Sequence, residues 1–215
     1  MKLKPIVTAP LFLLALIVLA AVPQFQTAEA QAPQGKPVTI RGKISAIEKQ
    51  SLKVTTSAGE VLVKLPDDVR IGGIEAAQLS DITAGNYVGA TSVKQADGSL
   101  KALEIHIFPE SSRGTGEGHR PWDLQPGSMM TNANVDKVEQ VAVEKVQGQL
   151  LTLKYKDGEQ KIFIPPGTPI VKNVSGDRSL LKPGTGVYVA AVRGEDGTLT
   201  ATRIAAGIAG VMPPM

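Results

Sequence analysis

The rare, chemically versatile side chains of this 215-residue chain are concentrated around one segment, residues 109–132. It contains the only tryptophan and one of the two histidines, and the other histidine lies just before it. Imidazole and carboxylate groups suit divalent first-row transition metals. The first candidate is therefore a metal site formed by five side chains: His106, Glu110, Glu117, His119 and Asp123.

The spacing of these five residues matches no known ligand box, because glycines separate the two histidines. His106 shares a predicted strand face with Glu104, whereas Ile105 and Ile107 occupy the opposite, inward face. This alternation predicts a solvated surface histidine. A bound divalent transition metal is therefore the alternative, and the primary expectation is that the protein has no cofactor.

The sequence also lacks the complete motifs for a phosphate-binding loop and for a serine hydrolase. The glycine-rich run at residues 113–118 is followed by His119 and Arg120, not by the Lys-Ser/Thr pair of a phosphate-binding loop. Ser111 and Ser112 lie near His119 in sequence, but no Gly-x-Ser-x-Gly nucleophile elbow is present. We therefore expect no catalytic residue.

The remaining interpretation makes the segment a structural clasp. Trp122 can bury a large apolar area between the two barrels, with Arg120 and Asp123 hydrogen-bonding to the loop backbone. On this interpretation Trp122 and Arg120 anchor an ordered linker, and replacing Trp122 with alanine costs on the order of 3 kcal/mol of stability.

The elements that flank the linker come from an internal repeat. At a constant offset of 99 residues, 14 of the 54 positions from 52 to 105 are identical. Asp97-Gly98 aligns with Asp196-Gly197, for example, and Gly59 with Gly158. Because the turn residues keep one register throughout, we expect a duplication.

Each copy reads as five short strands with hairpin turns. They are predicted at 38–48, 51–56, 60–65, 86–94 and 100–108, and again at 133–146, 150–155, 160–164, 186–193 and 199–204. The stretches 73–85 and 172–184 are less regular, and a helical turn is possible at 75–79. The fold class is therefore all-β, with two tandem small OB-like antiparallel β-barrels related by duplication.

The sequence predicts four regions. They are a signal peptide at 1–30, a first barrel at 31–108, an ordered Gly/Pro-rich linker at 109–131, and a second barrel with an apolar tail at 132–215.

Residues 106–124, His-Ile-Phe-Pro-Glu-Ser-Ser-Arg-Gly-Thr-Gly-Glu-Gly-His-Arg-Pro-Trp-Asp-Leu, stand between these β repeats. In this the chain resembles exported bacterial proteins of uncharacterised function with tandem OB-like β domains. Some of those proteins are labelled metal-transporter permease, an activity that needs several membrane spans. The resemblance implies a fold and a location, and it supplies no catalytic residue.

The N-terminus predicts export. Lys2 and Lys4 precede an apolar stretch at 6–22, and Ala28-Glu29-Ala30 forms a small-x-small cleavage pattern. A retained membrane anchor is the alternative. The mature chain would be periplasmic or secreted, and its sequence offers no second long apolar segment.

The formal charge of +3 falls to +2 without the signal peptide, and so small a surplus predicts no nucleic-acid partner. The sequence thus favours an exported, non-enzymatic binding or interaction module of the bacterial cell envelope. Its partner would be an unknown envelope component, and its oligomeric state is left open. The alternative is a periplasmic metal-binding protein that uses the cluster between His106 and Asp123.

Overall fold

The computed structural model describes residues 35–143 and 146–214, all within one compact unit. The predicted signal peptide lies outside the described residues. Within them the chain forms thirteen β-strands, three short 3-10 turns and no α-helix, which confirms the all-β prediction. In the same part of the chain no helix is long and apolar enough to cross a membrane.

The strands, in chain order, are β1 (Lys36–Glu48), β2 (Ser51–Thr56), β3 (Gly59–Lys64), β4 (Arg70–Ala76), β5 (Tyr87–Lys94), β6 (Leu100–Ile107), β7 (Gly118–Pro121), β8 (Ser128–Val143), β9 (Val146–Tyr155), β10 (Gly158–Ile164), β11 (Ile170–Ser175), β12 (Gly186–Arg193) and β13 (Leu199–Gly207).

Local turn chemistry places the hairpins where the sequence predicts them. Between β5 and β6, the Asp97 carboxylate accepts a hydrogen bond from the Ser99 backbone N–H at 2.9 Å, and Gly98 has a φ of 88°. Between β12 and β13, Asp196 accepts from Thr198 at 2.9 Å in the same way. A short acceptor followed by a glycine at positive φ reverses the chain within a few residues.

All thirteen strands belong to one hydrogen-bonded sheet whose path turns back on itself at both ends. At one end β13, β12, β1, β2 and β3 are successive neighbours, and Thr200 of β13 also pairs with Lys64 of β3. At the other end β6, β5, β8, β9 and β10 are successive neighbours, and Ile162 of β10 also pairs with Leu100 of β6. We call these two five-strand groups the first ring and the second ring.

Each ring combines strands from both halves of the chain. The first ring joins β1–β3 to β12 and β13, and the second ring joins β5 and β6 to β8–β10. The pairings therefore differ from the predicted domains at 31–108 and 132–215, which group consecutive strands. The physical reason is that both halves carry nearly the same strand pattern, so pairing within a half and pairing between halves suit the sequence equally well.

The two rings are connected by β4 and β11, which the sequence did not predict as strands. These two strands pair with each other, while β4 also pairs with β13 and β11 with β6. Gly72 and Gly73 weaken the strand signal of β4. Glycine is favoured at position 73 because a Cβ there would lie 2.7 Å from the Ile208 side chain. The helical turn predicted at 75–79 is wrong: β4 continues to Ala76, and a 3-10 turn covers Leu79–Asp81.

Three apolar clusters stabilise this arrangement. The interior of each ring is filled by residues that alternate inward along its strands, as period-2 patterning requires. In the first ring they include Leu52, Val187 and Ile204. The second ring's interior contains Ile105 and Leu153. The third cluster lies at the β4–β11 junction and contains the following residues: Ile74, Val171, Tyr188 and Ala205.

Candidate functional site

The outer face of the second ring carries a row of polar side chains where an apolar or solvated face would be usual. A bulge in the β5–β6 pairing falls between Thr91 and Ser92, so Thr91 lies opposite Glu104 and Ser92 opposite Ala102. Leu103 is the extra residue. After it, Ile105 points into the core, while Glu104 and His106 share the outer face.

Glu104 and His106 are fully buried, with 1% and 0% of their surfaces exposed. The prediction of a solvated His106 is therefore wrong. His106 is buried because β11 packs beside it. Val171 lies next to His106 in the parallel β6–β11 pairing, and Asn173 lies two residues further along β11. The ring of Phe108 stacks on the imidazole with a centroid separation of 6.3 Å.

A short hydrogen-bond chain holds the buried pair. Thr91 donates its hydroxyl to Glu104 Oε1 at 2.7 Å. His106 Nδ1 lies 3.2 Å from Asn173 Oδ1, within hydrogen-bond distance. His106 Nε2 faces Glu104 Oε1 at 3.6 Å, beyond hydrogen-bond distance.

A cavity of about 190 Å³ opens directly above this hydrogen-bond chain. Phe108, Met130 and Trp122 form its apolar walls, and Asn132 and Asn173 contribute amide groups. The buried pair lies one layer behind, since Asn173 and Phe108 contact His106.

The linker forms the opposite wall of the cavity with Ser112, Thr115, Gly116 and Arg120, and a second arginine, Arg203, also lines the cavity. Arg203 comes from β13, so strands that belong to different rings both reach the cavity.

The linker is ordered because β7 pairs with β8. Arg120 lies opposite Met130 in that pairing, and its guanidinium stands 5.7 Å from the centre of the Trp122 ring. The same guanidinium donates to the Gly116 carbonyl at 2.6 Å, as predicted for a residue that hydrogen-bonds to the loop backbone. Asn132 donates to the Thr115 carbonyl at 3.2 Å. The segment predicted as linker thus ends early, because β8 already begins at Ser128.

A glycine on β5 makes room for this packing. Gly89 lies between His106 and Asn132 in the strand pairings. A Cβ there would stand 2.8 Å from the Phe108 ring and 2.9 Å from Asn132 Oδ1. Any larger residue would therefore push the cavity wall outward.

Several polar atoms around the cavity are shielded from solvent and have no partner in the described part of the chain. Trp122 Nε1 and Asn132 Oδ1 belong to residues that line the cavity, whereas Glu104 Oε2 and His106 Nε2 lie in the layer behind it. An unpaired buried polar atom costs about 1–3 kcal/mol, so the two on the lining residues need an explanation.

The five predicted metal ligands do not converge. Among residues 35–143 and 146–214 no group of three or more His, Asp or Glu side chains is placed to hold a metal ion. Instead each has a partner of its own. Glu110 pairs with Arg113 at 2.5 Å, and this hydrogen bond lowers the pKa of the Glu110 carboxyl.

The remaining ligand candidates lie along the linker. Glu117 accepts from the Lys156 backbone N–H at 3.0 Å, and Asp123 accepts from Arg41 at 3.0 Å. His119 Nδ1 lies 2.8 Å from the Thr131 hydroxyl, and burial lowers the pKa of His119.

Sequence reasoning missed Glu104, Asn132, Asn173 and Arg203 as site residues. Only Glu104 carried a signal, because it alternates with buried isoleucines in β6 beside a histidine. The predicted alternation along β6 is correct, but the prediction that its outer face is solvated is wrong. The other three residues reach the cavity only through β8, β11 and β13, whose partners the sequence does not specify.

No curated protein and no solved structure matches the chain. A family model does match part of it: residues 142–205 match a domain of unknown function, DUF5666. The matched segment spans β9 to β12 and most of β13, so it contributes strands to both rings.

Proposed function

We propose that this chain is an exported, non-enzymatic binding module of the bacterial cell envelope, and that a small molecule binds in the cavity under the linker. The observation that carries the proposal is the cavity itself, which has apolar walls and two lining residues, Trp122 and Asn132, that each hold a shielded polar atom without a partner in the described part of the chain. Polar groups converging on a partly apolar pocket are the usual arrangement of a ligand site.

The position of the buried pair favours binding over catalysis. His106 contacts two side chains of the cavity wall, Asn173 and Phe108, and Glu104 lies beside His106 and accepts from Thr91. They hold that wall in place, as the supporting layer of a binding site does.

We also propose that each ring is a small OB-like barrel and that the two arose by duplication. Five strands and a return pairing in each ring support the first point. The β-bulges support the second: one follows Thr91 in β5 and the other follows Ala190 in β12, at the same 99-residue offset as the sequence identities. Export rests on the cleavage pattern at Ala28-Glu29-Ala30.

A binding screen tests the ligand site directly. Trp122 is the only tryptophan, so the NMR signal of its indole N–H reports on the cavity alone. We expect at least one member of a panel of neutral, cationic and anionic molecules of up to about ten heavy atoms to shift this signal saturably. The same compound should raise the melting temperature, because a ligand that binds only the folded state stabilises it.

A blocking variant provides the control. Ser112→Phe fills the cavity from the linker side, and we expect it to abolish the shift for every compound. Ser99→Phe places the same side chain on an exposed hairpin and should leave binding unchanged. A panel in which no compound moves the indole signal at millimolar concentration overturns the proposal, and so does full binding by the Ser112→Phe variant.

A further inference from the structure

The charges that line the cavity carry a sharper inference, which rests on the proposed function. Among the described residues Arg120 and Arg203 both line it, and no Asp or Glu does. In the same part of the chain neither arginine forms an ion pair. Two cations beside one cavity without a salt-bridge partner attract an anion, and a guanidinium binds a carboxylate with two parallel hydrogen bonds.

The hydrogen-bonding groups of the wall point to an acceptor. The Trp122 indole Nε1–H, which can only donate, has no acceptor in the described part of the chain. Ser112 and Thr115 add hydroxyl donors. A carboxylate is acceptor-only, so it complements the guanidinium, indole and hydroxyl donors of the wall. The unpaired acceptor on the wall, Asn132 Oδ1, takes no part in this pairing.

The cavity volume and its apolar walls determine how large and how apolar the rest of the ligand can be. A cavity of 190 Å³ would hold about six water molecules at roughly 30 Å³ each. An apolar cavity of about 150 Å³ is enough for benzene, which leaves room here for a carboxylate as well. Phe108, Trp122 and Met130 present the apolar surface that such a body would cover.

We infer that the cavity binds a small organic monocarboxylate with a compact apolar body, up to the size of one aromatic ring. The carboxylate lies between Arg120 and Arg203, and the apolar body lies against Phe108, Trp122 and Met130. A bare inorganic anion would satisfy the arginines but would leave this apolar wall uncovered.

Three probes of matched size or charge test the inference through the Trp122 indole signal. Benzoate has both the ring and the charge, benzamide has the ring without the charge, and inorganic phosphate has charge without the ring. We expect benzoate to bind about tenfold more tightly than benzamide, because charge-assisted hydrogen bonds add roughly that factor. Phosphate should bind more weakly than benzoate.

Arginine variants locate the carboxylate. Arg203 is exposed at the cavity rim, so Arg203→Gln should fold normally and weaken benzoate binding about tenfold while leaving benzamide unchanged. Arg193→Gln removes an exposed cation from the end of β12, away from the cavity, and should leave both affinities unchanged. Arg120→Lys keeps the charge but loses the planar fork, and we expect an intermediate loss for benzoate.

The outcomes separate the two proposals. If benzamide binds as well as benzoate, or if phosphate binds more tightly than benzoate, the carboxylate inference is overturned and the ligand site stands. Equal loss of benzoate binding in the Arg203→Gln and Arg193→Gln variants also overturns it, since the effect would then be general electrostatics. If no probe and no panel compound moves the indole signal, both proposals fail.

Discussion

Glu104 lies in the layer behind the cavity wall. It is buried, its Oε1 accepts the Thr91 hydroxyl at 2.7 Å, and the same oxygen lies 3.6 Å from His106 Nε2. His106 Nδ1 in turn lies 3.2 Å from Asn173 Oδ1. A glutamine at position 104 keeps the shape of this side chain and an acceptor for Thr91.

This reasoning predicts different costs for two Glu104 variants. Glu104→Ala removes the acceptor of Thr91 and leaves a void, and should cost about 3 kcal/mol of stability. Glu104→Gln keeps the side-chain volume and an acceptor for Thr91, so it should cost less than about 1 kcal/mol. Urea unfolding with an unchanged m-value measures both. Glu159→Ala, on an exposed position of β10, is the control and should be neutral.

Equal costs for Glu104→Ala and Glu104→Gln would show that the carboxylate itself is required and that the hydrogen-bond chain is misassigned. The sequence could place Glu104 and His106 on one strand face, because alternation along β6 is local. It could not show that this face is buried, since the cover comes from β11, far away in sequence.

At the scale of elements, the linker consists of a strand and two turns, and it forms one wall of the cavity. Trp122 is only partly buried and borders open space, while Asp123 joins the linker to β1 through Arg41 at 3.0 Å. The sequence correctly located the hairpins, whose turn residues act locally. It did not reveal β7, because four residues that include Gly118 and Pro121 carry no strand pattern of their own.

The partial burial of Trp122 changes what its removal should cost. A clasp buried in a core would cost about 3 kcal/mol on truncation to alanine. A side chain that borders a cavity loses fewer contacts, so we expect Trp122→Ala to cost about 1–2 kcal/mol. Thermal unfolding followed by circular dichroism measures this. Trp122→Phe keeps an aromatic surface beside Arg120 and should retain most of the stability.

Benzoate binding, followed by calorimetry, provides a second measurement on the same variants. Trp122→Ala should lose it even where the fold persists, and Trp122→Phe should keep part of it. A loss of stability of 3 kcal/mol or more would instead support the clasp interpretation.

At the scale of the whole molecule, each ring combines strands from both halves of the chain, and residues from both rings line the cavity. Arg203 reaches the cavity from β13 of the first ring, whereas Asn132 and Met130 belong to β8 of the second. Two self-contained barrels built from consecutive residues would have no reason to bring these side chains together. Sequence pattern alone could not decide between the arrangements, because positions 99 residues apart carry similar strands.

Engineered disulfides distinguish the two arrangements, and the absence of native cysteine makes the experiment clean. Lys36 of β1 lies directly opposite Arg193 of β12. If the first half instead closed on itself, Lys36 would face Lys94, which occupies the position equivalent to Arg193 at the 99-residue offset. We therefore expect Lys36→Cys with Arg193→Cys to cross-link under mild oxidation, since directly opposed strand residues bring their Cβ atoms within disulfide reach. The pair Lys36→Cys with Lys94→Cys should stay reduced. Mass spectrometry of unreduced tryptic peptides gives the readout, and preferential cross-linking of the Lys36–Lys94 pair would mean that each half of the chain forms its own ring.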